Sequence, residues 1–142
     1  MKGYLVDTNI PSELTRPRPE PQVIAFLNDA GKDRVYLSVL TLGEIYKGIA
    51  GLSDNNRKNR LQWWLDTEMR LWFADHVLPV TETIAERWGL LAGLAKLRGT
   101  PVSIIDGLLA ATALEHDLTV ATRNVRDFVG LKIRVFNPWD KP

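Results

Sequence analysis

The chain alternates short apolar runs with longer segments in which apolar residues recur at helical spacing. Short apolar runs between turn residues predict strands, and apolar positions three or four residues apart predict helices. This alternation predicts an α/β fold whose mostly parallel, five-stranded sheet is covered by helices on both faces. The predicted strands are residues 3–6, 35–37, 76–80, 119–122 and 133–136. The predicted helices are a short one capped at its start by Asn9, then residues 22–30, 40–50, 54–73, 82–97 and 104–114.

The predicted helix at residues 54–73 carries more tryptophan than one apolar stripe needs. Leu61, Trp64 and Leu65 share a face that can pack on a core. Trp63 points away from that face, so it is either a contact for a partner protein or part of the ordinary packing of a long helix.

Composition limits the classes of protein that the chain can belong to. The 142 residues fit one compact domain. The absence of cysteine excludes disulfides, thiolate catalysis and cysteine-ligated metal sites. A net charge of +1 gives no general argument for nucleic-acid binding. No apolar stretch approaches the roughly 18 residues of a membrane span, and the start is too polar for a signal peptide. We therefore expect a cytoplasmic location.

Four acidic residues follow apolar, strand-like runs at points where the chain passes into a helix. They are Asp7, Glu44, Asp106 and Asp127. Because the carboxyl ends of the strands of an open α/β sheet share one edge, these residues can meet there despite their separation in sequence. Such a cluster would repel itself unless a hard cation such as Mg²⁺ or Mn²⁺ lay between the carboxylates. The pattern therefore predicts a metal-dependent enzyme that cleaves phosphodiesters.

Helix capping is the structural alternative for three of these acids. Glu44, Asp106 and Asp127 each stand three residues after a Thr, Ser or Asn, which is the spacing of a capping box. For each of the three taken alone, capping is the more common role of this pattern. Asp106, however, is the only charged residue in an apolar helix, and Asp7 directly follows an apolar strand and has no such pattern. A partly buried carboxylate must be paired or must bind a metal, so function is favoured for both.

The two histidines do not form a metal-binding pair. His76 is expected at a strand edge and His116 at a helix end. A zinc hydrolase is therefore disfavoured, whereas carboxylates with Mg²⁺ need no histidine.

Several motifs resemble those of PIN-domain proteins, particularly the VapC/FitB-like toxins of bacterial type II toxin–antitoxin pairs. The resemblance runs from residue 4 to about residue 139. The motifs, in chain order, are Val6-Asp7-Thr8-Asn9, Leu42-Gly43-Glu44-Ile45, Gly99-Thr100-Pro101-Val102 with Asp106 and Ala110-Ala111, Ala121-Thr122-Arg123-Asn124 with Asp127-Phe128, and Asn137-Pro138-Trp139.

The resemblance implies an endoribonuclease that depends on Mg²⁺ or Mn²⁺. Asp7 and Asp106 would be the main metal ligands, with Glu44 binding directly or through water. The fourth acidic position corresponds to Asn124, an amide, and the nearest carboxylate is Asp127. The implied supporting polar residues are Thr8, Asn9, Thr122 and Asn124.

The resemblance also implies partners. They are a second copy of the chain, an RNA substrate, and an antitoxin whose DNA-binding domain contacts operator DNA while its tail covers the active site. The toxin would reach DNA only through that antitoxin.

Basic residues near the acidic motifs are candidates for RNA binding. Two lie on the loop after the first motif and two flank Asn124, so they can contact phosphates on either side of a metal. They are Arg16, Arg18, Arg123 and Arg126. A second basic group, Arg57, Lys58 and Arg60, is more simply a solvated helix face.

Three other functions remain open from the sequence. The chain can be a weakly catalytic or non-catalytic module that serves mainly as the partner of a DNA-binding antitoxin or repressor, which the amide at Asn124 favours. The same acids can serve a DNA nuclease or a phosphatase. A nucleotide-binding domain is the weakest alternative, because no glycine-rich phosphate loop is present.

Overall fold

The computed structural model describes residues 2–140, and its five strands form one sheet. The strand order is β3-β2-β1-β4-β5, and all four neighbouring pairs are parallel. The expected mostly parallel sheet is therefore confirmed, and it is entirely parallel. The strands are β1 Tyr4–Val6, β2 Val35–Ser38, β3 Val77–Leu78, β4 Thr119–Ala121 and β5 Val135–Phe136.

Helices connect the strands, as parallel pairing requires. They are α1 Asn9–Glu13, α2 Pro21–Ala30, α3 Val39–Ala50, α4 Asn55–Trp64, α5 Arg70–Trp72, α6 Glu82–Leu97 and α7 Ile104–His116. The predicted helix at residues 54–73 is helical over nearly its whole length, but a π-helical turn, Leu65–Met69, separates α4 from α5. No helix in residues 2–140 is long and apolar enough to cross a bilayer.

The two faces of the sheet are covered by separate hydrophobic cores. Val6 on β1 packs with residues of α1, α2 and α3, whereas its neighbour Leu5 packs with residues of α6 and α7. Successive side chains of a strand point to opposite faces, so a short apolar run supplies both cores. The expectation of helices on both faces is confirmed.

Most strands are shorter than the apolar runs predicted, and the physical reason is clearest in β3. The run at 76–80 forms a strand only at Val77–Leu78, because Pro79 has no N–H to continue the ladder. His76 lies at the strand edge as expected, with its ring stacked on Tyr36 at 4.5 Å between centroids. The other strands end within one or two residues of the predicted bounds.

The predicted N-cap at Asn9 is wrong. Thr8 holds the cap position in a helical conformation and makes no side-chain cap bond, and Asn9 is the first residue of α1. The reason is tertiary, since the side chains of both residues bond to groups on other elements.

Candidate active site

Asp7 lies at the carboxyl end of β1, the central strand of the sheet. The chain leaves β1 toward β2 on one side, and β4 pairs on the other, so this end of β1 is a topological switch point where ligands bind in open α/β sheets. Asp7 is largely buried, and both of its carboxylate oxygens are held. Oδ1 accepts from the Thr8 backbone N–H at 2.8 Å, and Oδ2 accepts from the Thr122 hydroxyl at 2.9 Å.

Thr122, just past β4, joins two segments of the site, the one at Asp7 and Asn9 and its own at Asn124. Its hydroxyl is fully buried and donates to Asp7. The same oxygen accepts from Asn9 Nδ2 at 3.2 Å and from the Asn124 backbone N–H at 3.0 Å. A hydroxyl offers one donor and two acceptor positions, so Thr122 uses its full hydrogen-bonding capacity. It therefore sets the orientation of the Asp7 carboxylate.

Glu44 enters the site from α3. Its Oε1 accepts from the Thr8 hydroxyl at 2.7 Å, so the Thr8 backbone and side chain connect Asp7 with Glu44. The capping alternative for Glu44 is wrong, because α3 begins earlier and Ser38 caps it by accepting from the Leu40 N–H. Thr41, the cap that the pattern suggested, is buried inside the helix.

Asp106 enters from the first turn of α7. Here the capping pattern is partly realised, since Ser103 accepts from the Asp106 backbone N–H at 3.2 Å and starts the helix. Burial raises the pKa of the Asp106 carboxyl above its usual value, and the Ser103 hydroxyl acts in the opposite direction. The negative charges of Asp7, Asp127 and Glu44 raise this pKa further. The other three predicted acids are therefore within electrostatic reach of Asp106.

A neighbouring glycine fixes how closely α7 can approach α6. A Cβ at Gly107 would lie 2.8 Å from the ring of Trp88 on α6. Only glycine permits this contact, so Gly107 helps to determine where α7 places Asp106.

The acids face one cleft of about 680 Å³, which we call the acidic cleft. Asp127 and Asn124 are both exposed in its wall, and Asn124 makes no side-chain cap bond to the short helix that follows it. The predicted site residues that line the acidic cleft are Asp7, Thr8, Asn9, Glu44, Asp106, Asn124 and Asp127. Ser12, Ser103, Ile104 and Ile105 complete it.

The donor chemistry of this cleft fits Mg²⁺ or Mn²⁺. Carboxylate oxygens are the ligands of these ions, and a cation would offset both the burial of the Asp106 charge and its repulsion by the other acids, which together raise its pKa. Within residues 2–140, no three His, Cys, Asp or Glu side chains are arranged to hold one ion by themselves. Mg²⁺ in proteins is usually held by one or two carboxylates and several waters, so two of these acids suffice.

A second cleft of about 550 Å³ adjoins the first, and we call it the arginine cleft. Two of the predicted RNA-binding residues, Arg16 and Arg123, line it. The other two, Arg18 and Arg126, are exposed and line neither cleft. Arg57 lines the arginine cleft, although its sequence context had favoured a solvated helix face. The walls shared by the two clefts are Thr8, Asn9, Ser12 and Glu44.

Sequence patterns did not identify some of the residues around these clefts. Ser12 and Ser103 are ordinary serines in the sequence, and Trp64 looked like part of an apolar stripe. Ser12 stands three residues after Asn9 on α1, a helical spacing that could have indicated a shared face.

Known proteins share both the sequence pattern and the fold. The PIN domain family model matches residues 4–131. The chain is 39% identical to the toxin FitB of Neisseria gonorrhoeae over 135 residues, which cover 95% of this chain and 97% of FitB. It is 32% identical to the VapC ribonuclease Y4jK of Sinorhizobium fredii over 136 residues, which cover 96% of this chain and 97% of that protein.

Among solved structures, FitAB bound to an IR36 DNA fragment contains a similar chain. The TM-score is 0.91 at 37% identity, with 98% of this chain and 97% of that chain covered. The family model covers most of the chain, and two relatives exceed 30% identity over nearly its full length. The chain therefore belongs to the PIN domain family.

Proposed function

We propose that this protein is an endoribonuclease that depends on Mg²⁺ or Mn²⁺ and that it is the toxin of a toxin–antitoxin pair. The observation that carries the proposal is the meeting of Asp7, Glu44 and Asp106 with Asp127 at one cleft, where burial and then the charges of the other three acids raise the pKa of the Asp106 carboxyl. The names of two relatives, a toxin and a ribonuclease, support the same activity.

Asp7 and Asp106 would hold the ion, and Glu44 would bind it directly or through water. Asp127 would be the fourth acid, since Asn124 is neutral. A bound Mg²⁺ or Mn²⁺ supplies an acidified water and neutralises charge at the reacting phosphate. Among the described residues, no histidine lines the acidic cleft, so we assign the protonation of the leaving oxygen to water rather than to a side chain.

The remaining residues of this network would keep the acids in place before substrate arrives. Thr122 holds one oxygen of Asp7, and Thr8 holds the other while bonding to Glu44. Side chains fixed in this way need little reorganisation during the reaction.

An antitoxin protein with a DNA-binding domain would be the partner. Support comes from the solved FitAB complex bound to DNA, which contains a chain similar to this one. In this proposal operator DNA is contacted only by the antitoxin, and the toxin acts on RNA in the cytoplasm.

The proposed activity is tested by comparing an RNA with a DNA of the same sequence. We expect purified protein to cut the RNA internally with Mg²⁺ or Mn²⁺, and to cut neither strand in EDTA. RNA differs from DNA by its 2′-hydroxyl, so equal cutting of both would instead indicate a general nuclease. A folded protein that binds Mn²⁺ and cuts nothing would reject the ribonuclease.

A weakly catalytic or non-catalytic module that acts mainly as partner of a DNA-binding repressor is the second candidate. The exposed amide of Asn124 in the acidic cleft favours it, because an amide removes one charge from the site. Operator binding by the antitoxin that requires this protein, without RNA cleavage under any metal condition, would support this candidate.

The apolar side of α6 supports a homodimer. Leu90 and Leu97 are 71% and 84% exposed and lie on the same side of the helix as Leu94. Exposed apolar patches of this kind mark protein contacts. We expect a solution mass of twice 16.0 kDa, and expect Leu90→Glu to shift it to that of one chain. Leu71→Glu, at a residue that is 64% exposed elsewhere, is the control. A monomeric parent protein in light scattering would contradict the dimer.

A further inference from the structure

The arginine cleft combines three cationic side chains with two indole rings. Arg16 follows α1, Arg57 lies in the first turn of α4, and Arg123 follows β4. Trp64 and Trp139 line the same cleft. Segments distant in sequence therefore build a basic and aromatic pocket beside the acidic cleft.

The arginines of the cleft differ in the hydrogen bonds and ion pairs that their side chains make. Arg57 lies in the described part of the chain without a side-chain hydrogen bond or ion pair, and it is exposed. Arg16 has one guanidinium nitrogen 3.3 Å from Glu13 Oε1, and its side chain is 60% exposed. Its remaining N–H groups are available, because a guanidinium carries five.

Glu13 keeps the Arg16 loop in position. This glutamate is buried, and its second oxygen accepts from the Glu20 backbone N–H at 2.9 Å. The buried Glu13 charge is therefore paired with Arg16, and this ion pair fixes the end of α1 beside the cleft that both residues line.

Arg123 and Trp139 form a stacked pair. The guanidinium carbon of Arg123 lies 5.4 Å from the Trp139 ring centroid, within the range of a cation–π contact. The Arg123 backbone N–H donates to Asn9 Oδ1, so this pair is tied to the residues around Asp7. An arginine and an indole next to each other offer one group for a phosphate and one flat face for a base, and in the free protein the exposed Arg123 guanidinium covers that face.

We propose that the arginine cleft binds an unpaired nucleotide of the RNA next to the phosphodiester that is cut. Arg16, Arg57 and Arg123 contact the flanking phosphates, and a base stacks on the indole of Trp139 in place of the exposed Arg123 guanidinium, which lies over that ring in the free protein. This inference rests on the proposed ribonuclease function. The two clefts share the wall formed by Thr8, Asn9, Ser12 and Glu44, so one strand can run through both.

The cleft favours a splayed nucleotide over a duplex. A pocket of about 550 Å³ falls within the size range of small-molecule pockets and admits single groups, not a double helix. Bases of a duplex remain stacked inside the helix, whereas bases in loops can turn outward onto an aromatic ring.

Two arginines on the same helix allow a matched test. Arg57 lines the cleft, whereas Arg60, one turn later on α4, is exposed and does not. The full-length Asp106→Asn protein binds a fluorescein-labelled, unstructured RNA of about ten nucleotides, a length within the site range of single-strand grooves. Adding Arg57→Ala is expected to weaken this binding about 10-fold, and to reduce the slope of log K against log salt by about 0.7. Adding Arg60→Ala is expected to change neither quantity.

Photocrosslinking locates the base. RNA carrying 5-iodouracil at successive positions is irradiated with the same protein, and the modified peptide is identified by mass spectrometry. We expect an adduct on Trp139 from one position, and an abasic site at that position to weaken binding about 10-fold. Adducts confined to other residues, or no adduct at all, would overturn the stacking role of Trp139.

These experiments test RNA binding by the arginine cleft separately from the proposed ribonuclease activity. If Arg57→Ala and Arg60→Ala bind RNA as the parent does, the inference is overturned even if RNA is cut with Mg²⁺. If the protein with Asp106 intact cuts no RNA while binding by the Asp106→Asn protein still depends on Arg57, the cleft binds RNA and the ribonuclease fails. If polyglutamate of equal charge binds with the same dependence on Arg57 and RNA does not, the cleft belongs to a protein partner and the inference is overturned.

Discussion

Asp106→Asn is expected to lower RNA cleavage by at least about 100-fold and to stabilise the metal-free protein. The substitution would replace the proposed carboxylate ligand of the metal by an amide, but it also removes one negative charge from a cluster of like charges. Most substitutions at a folding-critical position would lower stability. A rise in Tm on the order of 2 °C in EDTA, together with lost cleavage, would identify Asp106 as functional.

The stability effect should depend on pH in a defined direction. Burial, and then the neighbouring acidic charges, raise the pKa of Asp106 above the ordinary aspartate value of 3.8. A raised carboxyl pKa means that the folded protein holds this proton at a pH where the unfolded chain has lost it. The contribution of the Asp106 carboxyl to the free energy of unfolding is fully present below the pKa that this group has in the unfolded chain. It is lost as pH rises through the pKa that the group has in the folded protein. The advantage of Asp106→Asn should therefore be greater at about pH 7 than at about pH 4, as measured by urea unfolding in EDTA.

Asp75→Asn is the control for this prediction, because Asp75 is exposed and lies outside both clefts. It has a φ of 65°, a conformation that asparagine tolerates, so little change in stability is expected. A strongly unfolded Asp106→Asn protein would contradict the prediction and make Asp106 a structural residue. Asp7 is less suitable for the test, since both of its oxygens accept hydrogen bonds that an amide could not both accept.

Thr122→Val is expected to lower both stability and activity. Valine has a similar shape but no hydroxyl, so Asp7 Oδ2, Asn9 Nδ2 and the Asn124 N–H lose their partner. Leaving buried polar groups unpaired costs about 1–3 kcal/mol of unfolding free energy. We expect cleavage to fall roughly 10–100-fold, the usual effect of removing a residue that orients a metal ligand. Urea unfolding and initial cleavage rates measure the two effects.

Thr112→Val provides a matched control in the same protein. Thr112 is also fully buried, but its hydroxyl donates at 2.7 Å to the Leu108 carbonyl within α7. That bond is local to the helix, so its loss should cost less than about 1 kcal/mol and leave cleavage unchanged. Equal losses in both variants would mean that Thr122 contributes only to packing. A third variant, Thr122→Ser, should restore cleavage because it returns the hydroxyl.

Much of the fold was predictable because its signals are local. The apolar runs around β1, β2 and β4 and the helical spacing of α6 and α7 depend on neighbouring residues. Element ends were less predictable, since they depend on partners elsewhere. Asn9 did not cap α1 because its amide bonds across the site to Thr122.

The sequence by itself determined the α/β alternation, the acids after the strands and the motifs of the PIN family. These properties follow from residue type and spacing along the chain. Only the tertiary structure decided which side chains meet. It placed Arg57, but not Arg60, in the lining of the arginine cleft. It also made Thr122 the common hydrogen-bond partner of Asp7, Asn9 and the Asn124 backbone. The physical reason is that such contacts depend on strand order and helix packing, which bring together residues more than a hundred positions apart.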